Sequence, residues 1–260
     1  MITYDILDSY KEIAHFCTDR KGGVSMGNYA SFNLSPFSGD KPENVNKNKE
    51  ILCKQLGIDA EKLIIPYQTH GTKTLKIDDL FFKLSQQEKT QALIGIDALF
   101  THLPNVCIAV TTADCVPLLF FDPQKQVIAV AHAGWRGTCS RIAEKTVYNL
   151  IDKFHSNPAD IRVVIGPSIS SKVYEVGKDV VDNFSNAGFD ISQIVVVGNQ
   201  SFYLDLWKAN RQSLQNTGIL SEHIEISGIC TYTEHDRFFS ARRLGIKSGR
   251  MTSGIMIKGE

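Results

Sequence analysis

Residues 111–137 read TTADCVPLLFFDPQKQVIAVAHAGWRG. Two apolar runs, Val116 to Phe121 and Val127 to His132, flank the polar pair Asp122-Pro123. Each run has strand length and is rich in branched and aromatic side chains, so the stretch reads as a β-hairpin. Pro123 fixes φ near the value wanted at the second position of a turn, and it cannot enter a two-residue primed turn, which needs positive φ. A four-residue loop, Asp122 to Lys125, is the natural connection, and it pairs Phe121 with Gln126. Carried down the ladder, that register sets Cys115 directly across from His132, with Cβ atoms about 4.5–5.5 Å apart. A slip of one residue would send the two side chains to opposite faces.

Thiolate and imidazole at that separation suit two chemistries. One is metal binding: a catalytic zinc takes three protein ligands and keeps a position open. His70, in IIPYQTHGTK after an apolar run and before a glycine, is the best third ligand. His102, His155, His223 and His235 sit among polar residues and read as surface positions. The other chemistry is a Cys–His nucleophile pair, with the imidazole activating the thiol. A buried cysteine facing a core histidine is the alternative without chemistry. Arg136, in HAGWRG, is a planar fork among small residues and suits a phosphate or carboxylate. Asp114 precedes Cys115 and can orient a ligand, act as a base or cap local backbone.

The rest of the chain frames this hairpin. It has 260 residues, 28 basic and 28 acidic, for a formal charge of zero. Nucleic acid and anionic membranes are therefore poor partners, no apolar run reaches membrane-spanning length, and the N-terminus lacks an export pattern. A cytoplasmic location is the default. The six cysteines are scattered without a CxxC pair, which disfavours a four-thiolate zinc site or a disulfide framework; most read as small buried hydrophobes. Helices are expected in SGDKPENVNKNKEILCKQLGI, with Ser38 or Asp40 as cap, in TCSRIAEKTVYNLIDKF, and in FYLDLWKANRQSLQNTG, with Gly218 as its stop. Strands are expected in VCIAVTT, VPLLFF, VIAVAH, IRVVIG and IVVVG. Strands that meet at short turns favour a single α+β domain over residues 1–260, with mixed or antiparallel sheets packed by helices. Neither a P-loop nor a dinucleotide-binding glycine pattern occurs.

TADCVP, DP and IAVAHAGWRG together resemble the laccase-domain family of zinc-containing purine nucleoside phosphorylases, also known under the name polyphenol oxidase. TDRKGGVSMGNYASFNL with GDKPENVNKN, PYQTHG, IDALFT, VVIGPSISSKVYEV and CTYTEHDRFFSARRLGIKSGRM resemble its other motifs, in order along nearly the whole chain. The resemblance implies a zinc on His70, Cys115 and His132. It implies phosphorolysis of adenosine, inosine and methylthioadenosine, with adenosine deamination as a side activity. Some members are credited with polyphenol oxidation or with removing wrongly built peptidoglycan precursors. The partners so implied are a nucleoside and phosphate. For phosphate, Arg136 is the first candidate, then Arg20 and Arg243; Asn33 and Asp40 are candidates for the base edge.

Three departures stand out. Phe37 replaces a histidine common in the family, Ala241 replaces an aromatic, and FFKLSQQEKTQ reads as an inserted loop. A His₂Cys trio can also hold one copper. A multicopper laccase needs further histidines, and this chain has seven with no H-x-H pair. A cysteine hydrolase using Cys115 and His132, and a metal-stabilised binding module without catalysis, are the remaining readings.

Overall fold

The computed structural model describes residues 1–199 and 201–259. A six-stranded mixed sheet runs in the order Ile224–Ile226, Arg162–Ile165, Val116–Asp122, Val127–Ala133, Ala98–Thr101, Thr74–Lys76. A four-stranded sheet runs Ile13–Cys17, Met251–Ile257, Cys107–Thr112, Leu63–Ile64. A small third sheet holds Val195–Val197, Phe202–Leu204 and Glu175–Val176. Both large sheets mix parallel and antiparallel pairs, as expected from the short turns.

Strand alternation explains how these sheets stack. Successive side chains point to opposite faces. Leu119, Phe121, Ile128 and Val130 pack with Ile108, Val110 and Ile255, which fills the space between the two large sheets. Leu118, Phe120, Ala129 and Ala131 point the other way, onto Val147 and Leu150 of the helix Ile142–Phe154 and onto Ala209 and Leu214 of the helix Leu206–Asn216. The outer face of the four-stranded sheet packs Phe16, Ala109 and Met256 against Leu52 and Cys53 of the helix Pro42–Leu56. The architecture is thus helix, sheet, sheet, helix. Every residue of both hairpin strands is buried, because each strand has a core on each side. That is why these runs are continuously apolar.

Local details differ from the sequence expectations in ways that have physical causes. The helix Pro42–Leu56 has Lys41 at its N-cap, and neither Ser38 nor Asp40 caps it through its side chain. Asp40 instead accepts from Ser25 Oγ (2.6 Å) and Asn33 Nδ2 (3.0 Å). Gly57, at φ +68°, ends the helix in the left-handed region that glycine adopts freely. Phe202–Leu204 is a strand, and the helix begins at Leu206 because the Asp205 carboxylate accepts from Lys208 N (3.0 Å). FFKLSQQEKTQ is not a loop. It lies in two short helices, Asp79–Lys83 and Gln86–Ala92, and Ser85 with Glu88 forms a reciprocal capping box at the second.

The hairpin register is a further correction. Asp122 pairs with Val127 and Pro117 with His132, so Cys115 is not directly across from His132. Asp122 stays in the strand because its Oδ1 accepts from Gln124 N (2.9 Å) and Lys125 N (3.1 Å), and Gln126 turns the chain at φ +51°. The loop is four residues long but starts one residue later, at Pro123. The pairing therefore shifts by two residues, and a shift of two preserves the face. Cys115 and His132 remain on the inter-sheet side as diagonal neighbours, a spacing that long side chains still bridge.

Asp122→Ala removes both turn bonds of a fully buried carboxylate. A loss of about 1.5–3 kcal/mol in urea unfolding is expected, with bound metal per chain retained, since the paired strands hold the register. Loss of metal at unchanged stability would show instead that this turn sets the Cys115–His132 geometry.

Candidate metal centre

The space between the two large sheets ends in a cleft of about 490 Å³. Thr111, Thr112 and Ala113, leaving the four-stranded sheet, line one part; His132 and Cys115 come from the six-stranded sheet. The third contributor is the segment between Leu63–Ile64 and Thr74–Lys76, which crosses from one sheet to the other. Gln68 of this segment bonds the four-stranded sheet in both directions, Nε2 to Thr111 O (2.9 Å) and Thr111 N to Oε1 (2.8 Å). Two residues on, His70 sits at φ +61° and reaches back over the cleft.

Asp97 holds the other end of the crossing. Its carboxylate is fully buried and accepts from Thr69 N (3.2 Å), His70 N (3.0 Å) and Gly71 N (2.7 Å). His132 Nδ1 lies 2.9 Å from the same carboxylate. An ionised carboxylate only accepts, so Nδ1 carries the proton and Nε2 is left with a lone pair for a ligand. Burial pushes the Asp97 pKa up, but His132 and the N–H groups of Gly71 and Thr69 outweigh it and hold the carboxyl below its usual range.

The donor atoms of His70, Cys115 and His132 all lie within 4.8 Å of one another, and they form the only such group among the described residues. The two imidazole rings meet edge to face at 4.7 Å between centroids. Burial would raise the Cys115 thiol, but His132 and His70 beside it lower its pKa below that of an ordinary thiol. His132 is raised, against burial, by Cys115 and Asp97. Without a metal the pair thus favours a thiolate beside an imidazolium, and a metal bound through Nε2 of His132 would displace that proton. Gly134, two residues past His132, leaves room for the trio: a Cβ there would sit 2.9 Å from both Cys115 Sγ and His70 Cδ2. Two imidazoles and one thiolate fit zinc in a three-ligand site.

The structure places the other candidate residues away from the cleft lining. Asp114, at φ +84°, accepts from Thr231 Oγ1 (2.8 Å), Ser240 Oγ (3.0 Å) and Arg242 N (2.7 Å) and so ties the C-terminal loops to the hairpin. Arg136 is exposed and lies over the Trp135 ring at 4.4 Å. Arg20 donates to the carbonyls of Ala30 (3.0 Å) and His235 (2.8 Å), and Arg243 is exposed over Tyr232. Asn33 is fully buried, and its Oδ1 accepts from Ser35 N and Arg250 N. His102 and His155 are exposed; His223 and His235 are half-buried. Phe37 and Ala241, the two departures, do line the cleft, and Phe37 packs on Tyr67 at 4.4 Å between ring centroids. Sequence reasoning missed Asp97, Gln68 and Arg250. Asp97 was visible only as a lone acid at the start of the buried run IDALFT.

Asp97→Asn keeps the shape but replaces an acceptor-only group with one that also donates. Affinity for zinc should fall about 10–100-fold, as for other partners of metal-bound histidines, in a chelator competition titration. Unchanged affinity would remove Asp97 as the group that orients His132.

A purine nucleoside phosphorylase of Bacteroides thetaiotaomicron is 46% identical over 99% of this chain and 96% of its own. Adenosine deaminase RL5, from an unknown prokaryotic organism, is 39% identical over 98% and 97%. The crystal structure of the Bacillus licheniformis hypothetical protein YfiH superposes with a TM-score of 0.91 at 34% identity, covering 96% of this chain and 95% of that one. Residues 14–258 match the family model described as multi-copper polyphenol oxidoreductase laccase, and the chain belongs to that family.

Proposed function

We propose that the protein is a zinc-dependent purine nucleoside phosphorylase of the cytoplasm. It would act on adenosine, inosine and methylthioadenosine and deaminate adenosine as a side reaction. The convergence of His70, Cys115 and His132 at the cleft carries the reading, and the relatives supply the reaction class. In phosphorolysis the bond from the sugar C1′ to the base nitrogen breaks, a phosphate oxygen bonds to C1′, and the departing base gains a proton. In deamination water replaces the amino group, which leaves as ammonia.

His70, Cys115 and His132 would hold the zinc. When bound, a zinc ion supplies Lewis-acid polarisation of an oxygen in the cleft. The protein's own residues supply the rest. Asp97 fixes the His132 tautomer and the His70 backbone at once. Phe37 and Tyr67 present aromatic faces at the cleft, where a purine can stack. No described helix is long and apolar enough to cross a membrane, in keeping with small water-borne substrates.

One trio is a mononuclear site. The multi-copper name in the family description therefore finds no second group of ligands among the described residues. A single copper on the same three residues remains chemically allowed.

The test is purified native protein with its metal content measured, assayed on adenosine with and without phosphate. About one zinc per chain is expected, with adenine released only when phosphate is present and inosine plus ammonia formed in either case. Cys115→Ala should lose metal and both activities with only a modest drop in melting temperature, because the surrounding core does not depend on one ligand. Activity that persists without metal would favour a Cys115–His132 hydrolase. Copper with phenol oxidation would favour the oxidase.

A further inference from the structure

Phosphorolysis needs a bound dianion, and three arginines proposed from the sequence do not line the cleft. Arg136 and Arg243 are exposed on their own aromatic neighbours, and Arg20, held by the carbonyls of Ala30 and His235, is not among the residues that line the cleft. The cleft lining contains no acidic residue and no lysine; its one permanently charged side chain is Arg250. We propose that Arg250 is the oxyanion-binding residue of this site and that it takes the phosphate nucleophile. This rests on the phosphorylase reading above.

The guanidinium is already fixed in place. Nη1 donates to the carbonyls of Ser248 (2.7 Å) and Gly249 (2.9 Å) and to Ser248 Oγ (3.2 Å), and Nη2 donates to Ile246 O (2.9 Å). The backbone is pinned as well, since Arg250 N donates to Asn33 Oδ1 (3.0 Å). These bonds occupy the Nη1 side of the fork. Nε–H has no acceptor among the described residues and Nη2 makes a single bond, so the guanidinium keeps donors for the oxygens of a carboxylate or phosphate.

The charge balance points the same way. Arg250 is half-buried and forms no ion pair with a described residue. Burial lowers its pKa, against the charges of Cys115 and Asp114 nearby. Asp114 cannot serve as its partner, because that carboxylate is taken up by Thr231, Ser240 and the Arg242 backbone. A half-buried cation with no carboxylate in contact carries a desolvation cost that a bound anion offsets. Loop carbonyls hold the fork rigid, so little side-chain entropy is lost when the anion arrives. Asn33 then acts as a positioning residue: through its Oδ1 it sets the Arg250 backbone instead of reading a base.

Two anions share this chemistry: inorganic phosphate and the 5′-phosphate of a nucleotide. The experiment separates them. Phosphate and AMP are each titrated calorimetrically into wild-type and Arg250→Lys protein of equal zinc content, and the phosphate dependence of adenine release is measured beside ammonia release. Lysine keeps the charge but loses the fork. The apparent KM and Kd for phosphate should rise about ten- to a hundredfold, with kcat at saturating phosphate changed much less and deamination falling less than phosphorolysis.

An unchanged phosphate KM and Kd in the variant would overturn the assignment. So would Arg250-dependent binding of AMP without binding of phosphate. If the wild type shows no phosphorolysis, the reaction class is wrong, but calorimetry with phosphate still decides whether Arg250 binds the anion. Should Arg250→Lys fail to fold, phenylglyoxal labelling of the wild type answers the same question. Phosphate should protect the peptide containing Arg250, and protection at Arg136 or Arg20 instead would overturn the proposal.

Discussion

The centre depends on one buried carboxylate. Asp97 stands at the threshold of a core strand, fully inaccessible to water, and an ion there needs compensation. It obtains three backbone N–H groups from Thr69, His70 and Gly71 and one ring N–H from His132. Each donor belongs to something the site requires. The backbone donors hold the crossing segment in the conformation that points His70 into the cleft. The ring donor fixes which nitrogen of His132 is free. A single charge thus couples two ligands that are 62 residues apart in the chain, and no separate device is needed to align them.

Much of this arrangement was legible in the hairpin. Alternation of side chains does not depend on the absolute register, only on its parity. The expected pairing was wrong by two residues, since Asp122 makes its turn bonds from inside the strand. The face was still right. Cys115 and His132 point into the same inter-sheet space, and the trio with His70 forms. A loop one residue longer or shorter at the same starting point would have broken the inference completely.

Asp97, Gln68 and Arg250 were not legible, for a common reason. Each acts through contacts with residues far away in sequence, and none carries a local pattern of its own. The converse case has the same origin. Asn33, Asp40 and Asp114 are polar residues in motif-bearing loops, which is the usual appearance of a substrate contact. Their hydrogen bonds are spent inside the protein instead. Asn33 and Asp40 join Ser25, Ser38 and Asn48 in one buried network that shapes the loop beside the cleft. The sequence shows that a polar group is present but not whether its lone pairs are already taken.

That distinction bears on specificity. Phe37 and Ala241, the two positions the sequence resemblance singles out, line the cleft, unlike the polar candidates just named. Phe37 sets an apolar ring against Tyr67, so this wall presents π-surface without a ring nitrogen to donate or accept. Ala241 presents only a methyl group to the cleft, so it offers no stacking surface on the C-terminal loop. That loop also carries Ile246 and Arg250 into the same lining. Aromatic surface in the cleft therefore lies on the Phe37–Tyr67 side, while the His70–Cys115–His132 group and its Asp97 support involve neither position. The trio is held from the sheets and the crossing segment, and much of the remaining lining comes from the loops around it.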